Sequence, residues 1–322
     1  MVKRRLGATD IEITPIGLGC MQFAGPGLLE GFYKPIGQET VTEVVRTALK
    51  GGIGWFDTAE MYGKGASERA LTTALRELDV APGDTPIATK WTPLLRTSAS
   101  IGRTIGDRIT SLQGYPIALH QIHMPHGSFS PIARQVRAMA TLSRMGTIAA
   151  VGVSNFSASQ MERASQVLRA HGLPLASNQL QVNLLERSIE RNGVLESARK
   201  LGITLIAMSP LRSGLLTGKF HEDPSLLAAL PRTRRLLGSF TEKTLRRTAP
   251  LIDELRAIAK AYGVSVGQVA LSWLTTFYGD TVVAIPGASK PRHAEESAGA
   301  MQIRLTSKEL DRVDELSRRC AR

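Results

Sequence analysis

The sequence predicts a (β/α)8 TIM barrel with a short N-terminal β-hairpin, the whole of residues 1–322 forming one domain. Three observations carry this expectation. Short apolar runs alternate with longer amphipathic segments eight times, and strands that alternate with helices make a parallel sheet. A length of 322 residues exceeds an ordinary domain, yet closed parallel barrels routinely run to ~250 residues and beyond as one unit. The long connections all follow an apolar run and precede an amphipathic one, so in a barrel they gather at the C-terminal face, where chemistry sits.

Residues 4–13 read as the hairpin, with Gly7-Ala8-Thr9-Asp10 as turn and Ile11 and Ile13 alternating beyond it. Pro15–Leu18 is the first barrel strand, followed by a helix near 40–50. Ile53–Asp57 leads to a helix near 67–78, Ile87–Lys90 to one near 98–112, and Ile117–His123 to one near 130–145. Ala149–Ser154 precedes a helix near 158–171, Ala176–Val182 one near 190–201, and Thr204–Met208 one near 242–262. Val282–Ile285 is the last strand, with helical stretches from there to the C-terminus. Connections 19–39, 91–97, 124–129 and 209–241 crowd the reactive face; the last, after strand seven, is too long for a plain connector.

Composition is ordinary for a globular protein, 43% hydrophobic and 21% charged. Cys20 and Cys320 match no zinc or redox spacing and fit a reducing compartment. A net charge of +12 favours acidic partners. No nucleic-acid motif accompanies it and aromatics are scarce at 5%, so the charge reads as a solvated basic surface and no nucleic-acid partner is expected. Lys3-Arg4-Arg5 with Leu18-Gly19-Cys20 superficially resembles an export signal, but Asp10, Glu12 and Pro15 interrupt its apolar core. No apolar run approaches the ~18 residues of a spanning helix. A cytoplasmic protein with no membrane partner is expected.

In a barrel, an apolar run that stops at a polar residue aims that residue at the active-site mouth. Ile53-Gly54-Trp55-Phe56 stops at Asp57, Ile87-Ala88-Thr89 at Lys90, the fourth strand at His123, and Ala150-Val151-Gly152-Val153 at Ser154-Asn155; the sixth carries Gln179. An Asp, a Lys and a His at successive strand ends are hard to explain as packing. Tyr62, in the turn Glu60-Met61-Tyr62-Gly63, adds a phenol that ordinarily titrates near ~10. A neighbouring ammonium lowers that value and a carboxylate keeps the ammonium charged, so an Asp–Lys–Tyr–His cluster suits delivery of a proton to a developing alkoxide. Period-two alternation puts Leu119, Gln121 and His123 on one side of their strand and turns His120 toward the helices as a packed residue. His126, in the following loop, either lines the pocket or is exposed.

Nearly end to end, the chain resembles the aldo-keto reductases. The segments that carry the resemblance are Gly17-Leu18-Gly19, Gly54–Gly63 with its Phe-Asp-Thr-Ala-x-x-Tyr-Gly core, Ser67-Glu68, Ala88-Thr89-Lys90 and Gln121-Ile122-His123. Gly152-Val153-Ser154-Asn155-Phe156, Gln179–Asn183, Ser209-Pro210-Leu211 with Gly214-Leu215-Leu216, and Ile285-Pro286-Gly287-Ala288 complete the set. By this resemblance Tyr62 is the general acid, Lys90 and Asp57 lower its pKa, and His123 orients the substrate carbonyl. The resemblance implies reversible hydride transfer between NADPH and a small-molecule aldehyde or ketone without a metal, the cofactor supplying the hydride and the protein geometry and field.

No Gly-x-Gly-x-x-Gly with a following acidic residue marks a Rossmann domain; the family instead lays its cofactor extended across the barrel mouth. By motif position Ser154, Asn155 and Gln179 bond the nicotinamide carboxamide, with Asp57 and the backbone of Gly19, Cys20 and Met21 nearby. Met208 stands where the family commonly stacks an aromatic ring on the nicotinamide, and a thioether can pack there instead. Ser209, Leu211 and Gly214 follow along the pyrophosphate. Beyond Gly287, Ser289 and Lys290 are placed to take a 2′-phosphate with Arg292 or His293 assisting, which favours NADPH over NADH. Glu296 matches the adenine-amine contact, and Ser297 replaces the usual Asn. Bland alternatives stand beside these: Ser154-Asn155 as a helix N-cap pair, which Ser157 can supply instead, and 289–297 as an ordinary charged helix start. The basic cluster Arg232, Arg234, Arg235, Lys243, Arg246 and Arg247 reads equally as a phosphate clamp or a solvated helix start.

Met21, Gln22, Phe23, Trp91, Met124 and the loop after Phe156 are expected to form a partly apolar substrate pocket, continued by residues 25–33; the alternative is that some of them close the core. Two rival functions keep the same residues: an enzyme that retains NADP and oxidises then re-reduces one sugar-like substrate, and a cofactor-sensing subunit of a potassium channel. The natural substrate and oligomeric state are left open.

Overall fold

The computed structural model describes residues 3–27, 34–230 and 240–321. An antiparallel hairpin, β1 (Arg4–Arg5) and β2 (Glu12–Ile13), precedes one eight-stranded sheet. Its strands are β3 (Leu18–Gly19), β4 (Phe56–Asp57), β5 (Ile87–Trp91), β6 (Ile117–Ile122), β7 (Ile148–Ser154), β8 (Leu175–Gln181), β9 (Thr204–Met208) and β10 (Val282–Ile285). Each pairs in parallel with its sequence neighbour. The two ends meet as well. Gly17 N–H donates to Ala284 O at 2.9 Å, Ala284 N–H to Pro15 O at 2.9 Å and Gly19 N–H to Pro286 O at 3.0 Å. A glycine suits this seam, because a Cβ on Gly19 would lie 3.0 Å from the Ile285 carbonyl oxygen, a tight contact. The predicted barrel is the fold.

Helices α1 (Gln38–Lys50), α2 (Ala66–Glu77), α3 (Ala99–Ser111), α4 (Ile132–Arg144), α5 (Ala158–Arg169) and α6 (Val194–Leu201) fill the first six crossovers. Each buries one stripe, as α1 does with Val41, Val44, Val45 and Ala48 at helical spacing. The seventh crossover departs from the expected single helix. After β9 come a 3-10 turn (Arg212–Thr217), α7 (Lys219–Glu222), α8 (Glu242–Tyr262) and α9 (Val266–Phe277). It is α9 that packs on β10, while α8 lies outside it against α9 and α11 (Ser307–Cys320), with α10 (Pro291–Gly299) between β10 and α11 in the chain. Nine of the twelve residues of α9 are buried, on nearly every face, so it lacks the polar side by which an amphipathic helix is recognised.

The core has two layers. Inside the barrel, Leu6 and Ile13 of the hairpin pack with Trp55, Ala88, Leu119, Ala150, Ala176, Ile206 and Val283, closing the N-terminal end. A larger apolar layer lies between strands and helices. Strand alternation assigns side chains to one layer or the other: in β5, Ala88 and Lys90 face inward, while Ile87, Thr89 and Trp91 face the helices. His120 also faces that outer layer, buried near the Arg108–Glu68 pair; burial, then Arg108, lowers its pKa to about 3. Among the described residues no helix is long and apolar enough to cross a membrane.

Candidate active site

Asp57 ends β4 and Lys90 stands next to the end of β5, both sealed from solvent at 2% and 0% exposure. Lys90 Nζ donates to Asp57 Oδ1 at 2.5 Å and to Thr58 O at 2.8 Å. The second carboxylate oxygen, Oδ2, accepts from Gln179 Nε2 at 2.8 Å and from Gln121 Nε2 at 3.1 Å. Burial lowers the Lys90 pKa, but Asp57 and Tyr62 outweigh it and hold the ammonium above its usual pKa.

Tyr62 reaches this pair from the turn between β4 and α2. Glu60 anchors that turn, its Oε1 accepting from the Thr92 backbone N–H at 2.5 Å and from Arg96 Nη1 at 2.5 Å. Lys90 Nζ lies 5.3 Å from the centre of the Tyr62 ring. His123, just beyond β6, meets the same ring edge-on with centroids 5.9 Å apart. Asp57, Lys90, Tyr62 and His123 therefore converge at one end of the barrel. Burial raises the Tyr62 pKa, Lys90 opposes this by charge and hydrogen bond, and Asp57 and Cys20 add to the rise; the net direction is up. The expectation that Lys90 and Asp57 together lower it is corrected here, because Asp57 acts on the phenol with the opposite sign and burial prevails. The phenol thus keeps its proton at neutral pH. His123 is held neutral, its pKa lowered to about 3 by burial and then by Lys90. Burial also pushes the Cys20 thiol well above its ordinary value.

Beside Asp57 and Tyr62 opens a cleft of about 320 Å³ that runs over the ends of β8, β9 and β10. Gly19, Cys20 and Met21 line it from the end of β3 and the turn that follows, Gln179 from β8, and Met208, Ser209, Leu211 and Gly214 from β9 and its loop. Gly287, Ser289, His293, Glu296 and Ser297 line its far end. Asn183 Nδ2 donates to Ser209 O at 3.1 Å and helps hold Ser209 at φ +52°. On α10, Ser297 Oγ donates to His293 O at 2.8 Å, and Glu296 faces Arg292 at 3.4 Å. Burial, then Arg292, Lys219 and Lys290, depress the His293 pKa, so the field of three cations is felt there. Positive charge of that kind suits a phosphate.

Other expected residues lie outside the cleft walls. Ser154 is buried and Asn155 exposed at φ +61°, its Nδ2 donating to Ser154 Oγ at 3.0 Å and His123 O at 3.3 Å. Neither caps α5; Ser157 does, in a capping box with Gln160. Lys290 is exposed at the N-cap of α10. Phe23 and Trp91 are core residues rather than pocket walls: Phe23 is buried, and Trp91 donates its indole N–H to Ser100 Oγ at 3.0 Å under the Arg96 guanidinium. With Lys90 pointing inward, the next residue must point outward, a signal the alternation of β5 already carried. Met124 is half-buried beside His123, and His126 is exposed. Lys243, Arg246 and Arg247 are exposed on the first turns of α8. Residues 28–33 and Arg232, Arg234 and Arg235 lie outside the described residues. Sequence reasoning missed Lys219, which lines the cleft, and Gln121 as a partner of Asp57, although alternation had put Gln121 on the side of His123.

A model of the aldo/keto reductase family matches residues 15–318. The chloroplastic pyridoxal reductase of Arabidopsis thaliana is 31% identical over 310 residues, covering 93% of this chain and 82% of that protein. An uncharacterised oxidoreductase of Mycobacterium tuberculosis is 33% identical over 308 residues, covering 95% and 90%. Among solved structures, a thermostable aldo-keto reductase in complex with the inhibitor epalrestat is 31% identical with a TM-score of 0.76, covering 98% of this chain and 100% of that one. The glycerol dehydrogenase of Gluconobacter oxydans is 29% identical with a TM-score of 0.79, covering 98% and 94%.

Proposed function

The chain belongs to the aldo/keto reductase family, and on that premise we propose that it reduces an aldehyde or ketone to an alcohol with NADPH, Tyr62 delivering the proton. Membership makes it an oxidoreductase of carbonyl compounds. The observation that carries the finer reading is the Asp57–Lys90–Tyr62 array, which opens onto the cleft with a neutral imidazole against the phenol. The cleft fits a dinucleotide in kind: glycine-lined at Gly19, Gly214 and Gly287, with Gln179 at the catalytic end and Lys219, Ser289 and His293 at the cationic end. The positive charge at that end, which would suit a 2′-phosphate, is the reason to favour NADPH.

The bound cofactor supplies a hydride for the carbonyl carbon. Tyr62 holds the matching proton at Oη and gives it to the carbonyl oxygen as negative charge develops there. Lys90, kept charged by Asp57, stabilises the phenolate left behind. His123, uncharged across the working pH range, orients the carbonyl oxygen by hydrogen bonding without competing for the proton. Reversal follows by the same path, with the phenolate as base. Loss of NADPH absorbance against a panel of aldehydes tests the proposal. Steady consumption by the wild type, abolished in Tyr62→Phe, is expected; no consumption with any carbonyl would sink the function, and wild-type turnover in Tyr62→Phe would sink the proton donor.

A further inference from the structure

Asp57 accepts two amides on one oxygen, and the two differ in where they live. Gln179 lines the cleft. Gln121 is fully buried at 0% exposure, is no part of the cleft wall, and its Oε1 has no partner among the described residues. Inside the barrel, below this level, the positions are apolar: Ala88, Leu119, Ala150. An amide with an unsatisfied oxygen costs more there than an apolar side chain of the same volume. The neighbouring strand also makes room for it. Gly152 is the register partner of Gln121, and a Cβ at Gly152 would lie 2.9 Å from Gln121 Cγ and 2.5 Å from Ser177 Oγ.

We propose that Gln121 is a positioning residue: its core-held amide fixes the Asp57 carboxylate with Oδ1 toward Lys90, so that Gln179 is free to serve a ligand in the cleft without Asp57 turning. The proposal rests on the reading of Tyr62 as proton donor and extends it one layer deeper into the barrel. Removing the Gln121 donor acts on Tyr62 in one direction by two routes. Asp57 loses a hydrogen bond that offsets its charge, and its own field holds the phenol proton. Lys90 loses its fixed counter-ion geometry and withdraws some of the positive charge that releases that proton. The groups facing Tyr62 are Lys90, Asp57 and Cys20, with His123 at the ring edge. Cys20 and His123 stay neutral between about pH 5 and 9, since their pKa values lie well above the thiol range and near about 3.

Gln121→Met tests this. Alcohol oxidation needs the Tyr62 phenolate, so its rate climbs with pH along the limb set by Tyr62. In Gln121→Met that limb is expected to move up by about one pH unit, with kcat about tenfold lower and KM for the cofactor within about twofold of wild type. A merely structural role would lower kcat without moving the limb. Gln121→Glu should recover reduction at acidic pH, where the protonated carboxyl donates to Asp57, and lose it as pH rises. The protein has 5 tyrosines, so the tyrosinate absorbance lost in Tyr62→Phe reads Tyr62 directly, even if no carbonyl is turned over. An unshifted Tyr62 titration in folded Gln121→Met, or in Gln121→Glu at alkaline pH should the Met variant not fold, would overturn the proposal.

Discussion

Lys90 and Arg187 are both buried cations, at 0% and 2% exposure, and both face carboxylates. Their surroundings differ. Arg187 pairs with Glu190 at 2.6 Å and Asp314 at 2.5 Å, donates to Ser317 Oγ at 3.0 Å, and is covered by the rings of Trp273 and Phe277 at 5.0 and 5.2 Å. It ties α11 to the barrel and does not line the cleft beside Tyr62. Lys90 has Asp57 and the Thr58 carbonyl, and its third direction is Tyr62, which lines the cleft. Burial of charge therefore does not mark a site by itself. A buried charge whose remaining neighbour is titratable and faces open space does.

The comparison can be broken in graded ways. The largest effect is expected at Tyr62: Tyr62→Phe should lower kcat for carbonyl reduction about a thousandfold while melting temperature and NADPH binding stay as in wild type. Next, Lys90→Met should lower kcat about a hundredfold, whereas Arg187→Met should cost ~3–5 kcal/mol in urea unfolding and leave turnover per folded molecule unchanged. If Arg187→Met lost turnover at full stability, the distinction between the two cations would fail. Lys219→Met should weaken NADPH about tenfold in a fluorescence titration, and Lys290→Ala, exposed and off the cleft wall, by a smaller factor.

The smallest effect concerns pH. His120 is buried with its pKa lowered to about 3 from its ordinary 6.5, so between those values the unfolded chain binds more protons than the folded one. Stability should fall as pH drops from about 6.5 toward about 3. His120→Phe should flatten part of that fall in melting temperature, and an unchanged slope would show that other groups dominate it.

What was legible in the sequence follows the same divide. Asp57, Lys90 and His123 stand where apolar runs stop, so strand ends announce them. Trp91 was expected in the pocket, with closing the core as the alternative, and the core is where it lies; alternation, which turns every second side chain outward, separates the two. Gln121 was on the correct side of β6 but given no role, since the sequence does not say which carboxylate an interior amide will meet. Gln179 was read for a ligand, whereas its amide also holds Asp57. Lys219 opens the four-residue helix α7, too short for its periodicity to mark direction in the sequence. α9 was hidden by being buried on nearly all sides.

A crystal structure with NADP⁺ bound tests the central claim most directly. The nicotinamide is expected against Tyr62, its carboxamide toward Gln179 and Asn155, and its phosphates toward Lys219 and His293. A nicotinamide turned away from Tyr62, or phosphates at the Asp57 end of the cleft, would contradict it.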